Sequence, residues 1–290
     1  MNYLQWIIKG LAMGAADVVP GVSGGTLAFV LGIYHRLLAA ISSVNLAALR
    51  LLFSGRLKQC WQHIDGTFLL CLLSGILISV FSLANLIGYL MEYRPVPLWA
   101  FFNGLILTAL PPLFKAVSWS VWRALLFVFG ISFALAIGML TPVQLEPAGW
   151  MFFAAGAIAI CAMILPGVSG SFMLLIMGMY APVLLAVKEF QFGVLLLFVS
   201  GCVIGLMSFT RLLNWLLSRY MAASLALLTG IVVGAMYRIW PWQQQQQVYS
   251  PWQYAEQVAP ADGLLAIASF LSAVLLMTAL LNLNKWLNPA

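Results

Sequence analysis

The chain has 290 residues, of which 64% are hydrophobic and 7% are charged. A soluble domain carries about 25% charged residues, so a chain this apolar has too little polar surface to face water and needs lipid around it. The net charge of +6 comes from basic residues between apolar segments, which is typical of orientation in a membrane and not of nucleic-acid binding. The four cysteines are isolated and are expected to be small core residues; the two histidines suggest no metal site, and we expect no cofactor.

The first apolar region, residues 5–34, consists of two arms split by the motif PGVSGG at 20–25. The arms are about 15 and 11 residues long and reach roughly 22 and 16 Å, too short for a hydrocarbon core of about 30 Å. We therefore predict a re-entrant helical hairpin. Because this region lacks a basic leader, we expect no cleavable signal peptide.

Full spans and a second hairpin follow. The segment 42–63 carries Arg50, Arg56 and Lys58 and is expected to be an amphipathic surface helix. The predicted spans are 66–90, 97–114, 122–141, 193–218, 222–240 and 262–284. A second hairpin is predicted at 149–187 around the motif PGVSGS at 166–171, with Pro182 ending its second arm. The stretch 241–261, with its run of glutamines, is expected to be a polar loop.

The two halves of the chain repeat one another. The matches are PGVSG at 20–24 with 166–170, Gly32 and Tyr34 with Gly178 and Tyr180, SG at 74–75 with 200–201, Ser82 with Ser208, and Gly104 with Gly230. We predict an all-α polytopic membrane protein with two inverted repeats, 1–145 and 146–290. Each repeat has one hairpin and three spans, and the odd number of spans inverts the second copy, as is typical of secondary transporters.

The distribution of basic residues predicts that both termini are cytoplasmic. The cytoplasmic side then holds Lys9, Arg36, Arg50, Arg56, Lys58, Lys115, Arg123, Arg219 and Lys285, and the outer side holds Arg94, Lys188 and Arg238.

The two motifs predict an anion site. In each motif the proline ends or bends one arm, and Ser23 or Ser169 is placed to cap the next helix. A helix N-terminus with free N–H groups carries about half a positive charge and favours an anion. The predicted phosphate-binding residues are Ser23, Gly24, Gly25, Thr26, Ser169, Gly170 and Ser171. The alternative is that the glycines only allow close helix packing.

Asp17 lies three residues before Pro20, at the deep end of the first arm. A carboxylate inside a membrane is costly and is a functional candidate by default. We predict that Asp17 couples transport to a proton or gates it. The alternative is a structural role, in which Asp17 hydrogen-bonds the hairpin turn. Met163 occupies the matching position in the second hairpin.

Two arginines are further candidates for phosphate binding. Arg211 lies inside the span 193–218 and offers a planar fork of donors, although its side chain can instead extend to the cytoplasmic interface. Arg36 is predicted to guard the cytoplasmic mouth, with a plain positive-inside role as the alternative. Asn103 is a further hydrogen-bonding candidate for a head group.

The strings GAADVVPGVSGGT at 14–26, LGIY at 31–34, LPGVSGS at 165–171 and MGMY at 177–180 closely resemble the bacterial polyprenyl-phosphate transporter family, and the resemblance covers nearly the whole chain. It implies a lipid flippase in the bacterial cytoplasmic membrane. Such a protein returns undecaprenyl phosphate to the inner leaflet for peptidoglycan and other cell-envelope polymers. It also implicates Asp17, Ser23, Gly24, Ser169 and Gly170. Other membrane lipids, protons and a second copy in a homodimer are the further partners considered.

Two other functions are open at this stage. The integral-membrane undecaprenyl-pyrophosphate phosphatases have a similar Pro-Gly-x-Ser turn, but an arginine follows it there, and Gly24 and Gly170 stand at those positions here. No glutamate pair lies inside a span, so we expect no enzyme activity. The second alternative is a secondary carrier of a small anion. A lipid carrier differs from it by a lateral opening lined with apolar residues.

Overall fold

The computed structural model describes residues 3–18, 23–140, 147–244 and 247–287. Within these ranges the regular structure is helical apart from one small antiparallel pair of strands, β1 (Gln243–Gln244) and β2 (Gln247–Val248). The helices are α1 (Tyr3–Val18), α2 (Gly24–Val30), α3 (Tyr34–Ser42), α4 (Leu46–Phe53), α5 (Leu57–His63), α6 (Gly66–Tyr93), α7 (Pro95–Ala116), α8 (Val121–Gly138), α9 (Gly149–Ile164), α10 (Gly170–Ile176), α11 (Tyr180–Lys188), α12 (Phe192–Arg219), α13 (Met221–Ala235), a 3₁₀ helix (Met236–Ile239), α14 (Pro251–Gln257) and α15 (Gly263–Leu287).

Among the described residues, six helices are long and apolar enough to cross a membrane. A helix suits this environment because it satisfies its own backbone hydrogen-bonding groups. The six helices are α6, α7, α8, α12, α13 with its 3₁₀ extension, and α15. Each of the six predicted spans coincides with one of these helices, as expected for an all-α polytopic membrane protein. The prolines Pro111 and Pro112 do not end the second span, since α7 continues to Ala116.

The predicted hairpin regions contain short helices joined by sharp bends. The axes of α2 and α3 differ by 118°, and those of α10 and α11 differ by 107°. Each pair is either a broken span or a re-entrant loop, so the chain has six to eight spans. The second arms are shorter than predicted: α2 ends at Val30, and α10 ends well before Pro182.

A glycine with positive φ causes each of these early ends. Gly32 has φ 72° and Gly178 has φ 68°. In both turns, the amide that follows the glycine donates back to the carbonyl five residues earlier: Ile33 to Ala28 (3.0 Å) and Met179 to Leu174 (2.8 Å). This is the Schellman ending of a helix, in which glycine adopts the left-handed conformation at little cost. The repeated glycine in the sequence therefore specifies a repeated turn.

Four long helix pairs hold the fold together: α1 with α6, α9 with α12, α7 with α15, and α8 with α13. Two of them meet at glycines in matching places. A Cβ atom added to Gly10 would strike the carbonyl oxygen of Leu72, and one added to Gly156 would strike that of Phe198. Such small residues let helix backbones approach closely in lipid, where packing replaces the hydrophobic effect as the driving force.

Two segments between the spans differ from the sequence predictions. The stretch 42–63 forms two short helices, α4 and α5, instead of one. The stretch 241–261 is not a simple polar loop, because it contains β1, β2 and α14. Tyr254 of α14 is buried in a small cluster with Val96 and Ala266, so aromatic side chains fix this segment over the ends of α7 and α15.

Candidate functional site

The first hairpin tip, residues 23–26, forms the start of α2 and is closed to solvent. Ser23 is 2% exposed, and its hydroxyl oxygen accepts a hydrogen bond from the Gly25 amide (3.1 Å). The prediction that Ser23 caps this helix is therefore confirmed. All residues of α2 are buried, so the predicted residues Gly24 and Thr26 have no open path to solvent in this conformation.

The Asp17 carboxylate binds a backbone amide at this tip. Its Oδ1 accepts a hydrogen bond from the Gly24 amide at 2.7 Å, and a Cβ atom added to Gly24 would lie 2.5 Å from Oδ2. The chain therefore places its own anion at the start of α2, where the helix end is electropositive. This contact realises the structural alternative for Asp17 and leaves its coupling role as a prediction.

The opposite end of α2 is contacted by Lys9. This side chain is 9% exposed, and its ammonium donates to the Leu31 carbonyl at 3.1 Å. Lys9 was expected among the basic residues of the cytoplasmic side; the structure buries it against α2, where its charge meets a carbonyl at the end of a short helix. One helix, α1, thus provides an acid for one end of α2 and a base for the other.

The two hairpin tips meet through hydrogen bonds. The Ser23 hydroxyl donates to the Met163 carbonyl at 2.8 Å, and the Gly167 amide donates to the Thr26 hydroxyl at 2.7 Å. The Tyr34 hydroxyl donates to the Ile164 carbonyl at 3.1 Å. Since α9 ends at Ile164, its last carbonyls need partners, and the first hairpin supplies them. The expected meeting of the two tips is therefore observed.

The second hairpin tip, residues 165–171, is more open. Ser169 precedes α10 but, in the part of the chain that the structure describes, does not cap it; its hydroxyl lies 3.0 Å from that of Ser171. Gly170 packs closely on α9, since a Cβ atom there would lie 2.6 Å from the Ala159 carbonyl oxygen. Ser171 is exposed. In the second tip the two hydroxyl groups therefore contact each other, with Ser171 exposed and Ser169 buried, whereas the hydroxyl groups of the first tip contact the opposite hairpin.

A small cleft, with room for about one water molecule, lies beside the second tip and holds an arginine that the sequence analysis placed among the outer-side charges. We name it the Arg238 cleft, and its lining residues are Ala134, Ile137, Gly138, Gly167, Val168, Ser169, Phe172, Ala235 and Arg238. The Arg238 guanidinium lies 4.0 Å from the centroid of the Phe172 ring. Among the described residues no carboxylate pairs with it. Nothing in the sequence distinguishes Arg238 from other basic residues at span ends.

Asn103 supports this arrangement instead of facing a head group. It is buried, and its side-chain amide donates to the Ile239 carbonyl, beside Arg238. The 3₁₀ helix that carries Arg238 is thereby tied to α7.

The two arginines that were predicted to bind phosphate, Arg36 and Arg211, lie away from the two tips. Arg36 forms an ion pair with Asp65 at 2.6 Å, and its guanidinium lies 4.3 Å from the ring of Trp6 and 4.5 Å from that of Phe68. Arg211 is exposed on α12. In the described part of the chain, no hydrogen bond or ion pair connects either arginine to a tip.

An apolar groove lies between α8, α12 and α13. Its lining residues are Trp122, Leu126, Leu213, Leu216, Leu217, Tyr220, Ala223, Ser224, Leu227 and Leu228. It is formed by the first turns of α8 and α13 and the last turns of α12, so it lies at one end of the helix bundle. We name it the α8–α13 groove.

These features define a polytopic membrane protein with an internal polar site: six to eight apolar spans, two hairpin tips in contact, the Arg238 cleft and the α8–α13 groove. The chain matches the family described as VCA0040-like, undecaprenyl phosphate translocase-like, over residues 13–256, and it belongs to this family.

Two relatives agree with this assignment. A polyprenyl-phosphate transporter of Vibrio cholerae serotype O1 is 46% identical over 297 residues, covering 97% of this chain and 96% of the relative. A polyprenyl-phosphate transporter of Staphylococcus aureus is 34% identical over 262 residues, covering 83% of this chain and 88% of the relative. No solved structure matches the chain significantly.

Proposed function

We propose that this protein returns undecaprenyl phosphate from the outer to the inner leaflet of the bacterial cytoplasmic membrane, so that the carrier is reused in cell-envelope synthesis. Family membership supports a polyprenyl phosphate as the cargo. The observation that carries the proposal is the contact between the two tips, with a cationic cleft beside the second of them. A site in this position serves a phosphate that approaches from one side and leaves toward the other.

We further propose that the two halves are inverted repeats, 1–145 and 146–290, and that both termini are cytoplasmic. Matched glycine contacts support this: Gly75 meets Ile7, and Gly201 meets Phe153, at equivalent places in the two halves. The α7–α15 and α8–α13 pairs also correspond, since each joins the second span of one half to the third span of the other.

The difference between the tips supports a cycle of alternating access. In this conformation α2 is wholly buried, whereas α10 buries only Phe172 and Ile176. The phosphate enters at the Arg238 cleft, contacts Ser169, Gly170 and Ser171, and then passes to Ser23, Gly24, Gly25 and Thr26. When the first hairpin opens and the second becomes buried, the head group moves across the membrane, while the prenyl chain of the substrate stays in lipid.

Asp17 gives this cycle a means of coupling. Its carboxylate and the incoming phosphate compete for the same Gly24 amide. Protonation of Asp17 weakens its hydrogen bond to that amide and frees the amide for the phosphate. At the cytoplasmic mouth, Arg36 leaves Asp65 to receive the departing head group, and Arg211 acts on the same side.

The contacts of the serines oppose the phosphatase alternative. A nucleophilic serine needs a neighbouring base, but the Ser23 hydroxyl donates to the Met163 carbonyl instead. The groove between α8, α12 and α13 favours a lipid over a small anion, because a small anion has no use for an apolar surface of that size.

The test is transport by the purified protein in vesicles, with undecaprenyl phosphate, its pyrophosphate and inorganic phosphate as separate substrates. We expect movement of the monophosphate lipid alone, with no release of inorganic phosphate. Release of phosphate from the pyrophosphate lipid would establish an enzyme, and transport of inorganic phosphate would establish a small-anion carrier. Replacing Ser23 and Ser169 together with leucine should remove binding, while unchanged affinity would exclude the tips as the site.

A further inference from the structure

The Arg238 cleft and the α8–α13 groove lie along the same pair of helices. Residues near the start of α8, such as Leu126, share the groove with residues near the start of α13, such as Leu227. Residues near the end of α8, such as Ile137, share the cleft with Ala235. The two helices therefore run in the same direction, with one opening at each end of the pair.

Both openings lie on the same side of this pair. At 3.6 residues per turn, the α8 positions that line either opening fall within an arc of about 160°, and those of α13 fall within about 140°. These positions are 122, 126, 134, 137 and 138 of α8, and 223, 224, 227, 228 and 235 of α13. From Leu126 to Ile137 the helix rises about 16 Å at 1.5 Å per residue. Between the openings, Ile231 of α13 is buried against Gly167, whereas Phe129 and Phe133 of α8 are exposed, so the surface that connects them belongs to α8.

The two openings differ in chemistry. The cleft is lined by Arg238 and Ser169, whose guanidinium and hydroxyl groups are of the kind that donate hydrogen bonds to an oxyanion. The groove offers leucine side chains almost throughout, with Ser224 and the hydroxyl of Tyr220 as its polar groups. A cation at one end and an apolar surface at the other fit a single molecule with a phosphate head and a long hydrocarbon chain.

We propose that this face of α8 and α13 binds the whole lipid substrate, with its phosphate at Arg238 and Ser169 and its prenyl chain in the α8–α13 groove. The proposal rests on the proposed function and extends it to the chain of the substrate. A phosphate monoester carries about 1.5 to 2 negative charges and attracts an arginine more strongly than a phosphodiester does. Charge complementarity therefore selects a prenyl monophosphate over an ordinary phospholipid.

The experiment measures equilibrium binding to the full-length protein in lipid nanodiscs. The ligands are undecaprenyl phosphate, the shorter farnesyl phosphate and phosphatidylglycerol. For the wild-type protein we expect undecaprenyl phosphate to bind more tightly than farnesyl phosphate, because only the longer chain extends from the cleft into the groove. Phosphatidylglycerol should compete poorly.

Two variants test the binding of the phosphate head group and of the prenyl chain separately. Arg238→Gln should weaken both prenyl phosphates about tenfold or more, since it removes a charge-assisted contact. Ala223→Trp fills the groove and should weaken undecaprenyl phosphate about tenfold while leaving farnesyl phosphate unchanged. Ala222→Trp is the matched control, because Ala222 neighbours Ala223 on α13 but does not line the groove. Leu126→Trp fills the groove from α8 and replaces Ala223→Trp if that variant does not fold.

The outcomes distinguish the two proposals. If the wild-type protein binds neither prenyl phosphate, the proposed function fails and this site fails with it. If the wild-type protein binds both lipids but the groove variants weaken neither, or weaken both equally, the chain lies elsewhere and only this proposal is overturned. Equal binding of phosphatidylglycerol would also overturn it, since the face would then be a general lipid surface.

Discussion

The two hairpins repeat the same motif but differ in charge. In the first, Asp17 and Lys9 of α1 contact the two ends of α2, and every residue of α2 is buried. In the second, Met163 and Ala155 occupy the corresponding positions, and α10 is largely accessible. A pair of opposite charges on the neighbouring helix therefore accompanies the closed hairpin, and its absence accompanies the open one. The comparison suggests that these charges favour the conformation seen here.

The largest effect is expected from removing the charge of Asp17. Asp17→Asn keeps the shape of the side chain but removes its negative charge and its proton exchange. We expect transport of undecaprenyl phosphate in vesicles to fall by at least about a hundredfold, or about 2.7 kcal/mol in the barrier. Asp262→Asn is the control, because Asp262 pairs with Arg94 on the surface at 3.2 Å. Full activity of Asp17→Asn would exclude the coupling role.

Lys9→Ala makes the first hairpin resemble the second at this position. The Leu31 carbonyl then loses its partner in a buried setting, which costs about 1–3 kcal/mol of stability. Transport should fall about tenfold, because α2 is held less firmly. Thermal unfolding in detergent and vesicle transport measure the two effects, with the exposed Lys188→Ala as control. Equal behaviour of the two variants would mean that the Lys9 contact does not hold α2.

Serine substitutions at the two tips should have unequal effects on stability. Ser23→Ala removes a helix cap and the hydrogen bond to the Met163 carbonyl, and we expect a loss of about 1–2 kcal/mol. Ser169→Ala removes no cap, so its effect should stay within about 0.5 kcal/mol. Unfolding of both variants under the same conditions gives the comparison. A larger loss for Ser169→Ala would reverse the assignment of the closed and open tips.

The smallest effect is expected at the surface pair of Arg36 and Asp65. Both side chains are substantially exposed, and such pairs contribute about 0.2–1 kcal/mol. A double-mutant cycle with Arg36→Gln and Asp65→Asn should give a coupling energy in this range. A coupling energy several times larger would indicate that stacking of Arg36 on Trp6 and Phe68 strengthens the ion pair at the end of the first hairpin.

Much of the fold was accessible from the sequence because membrane spans are local features. The prediction 193–218 lies within one residue of α12 at each end, since a long apolar run with polar flanks determines both ends of a span. The end of α2 was missed because Gly32 was recognised as part of a repeat but not as a helix terminator. The assignments of Lys9 and Arg238 as simple loop charges show the limit of the positive-inside rule, which assigns sides but not contacts.

The sequence by itself determined the class of protein, the six long spans, the duplicated motif and the helix cap at Ser23, because hydropathy and capping act over a few neighbouring residues. Only the tertiary structure decided that Asp17 accepts the Gly24 amide, that Lys9 contacts Leu31, and that Arg238 and Ser169 line the same cleft. These contacts join residues whose separation along the chain carries no information about their distance in space. Which backbone groups remain unpaired, and which charge reaches them, depends on how the helices pack.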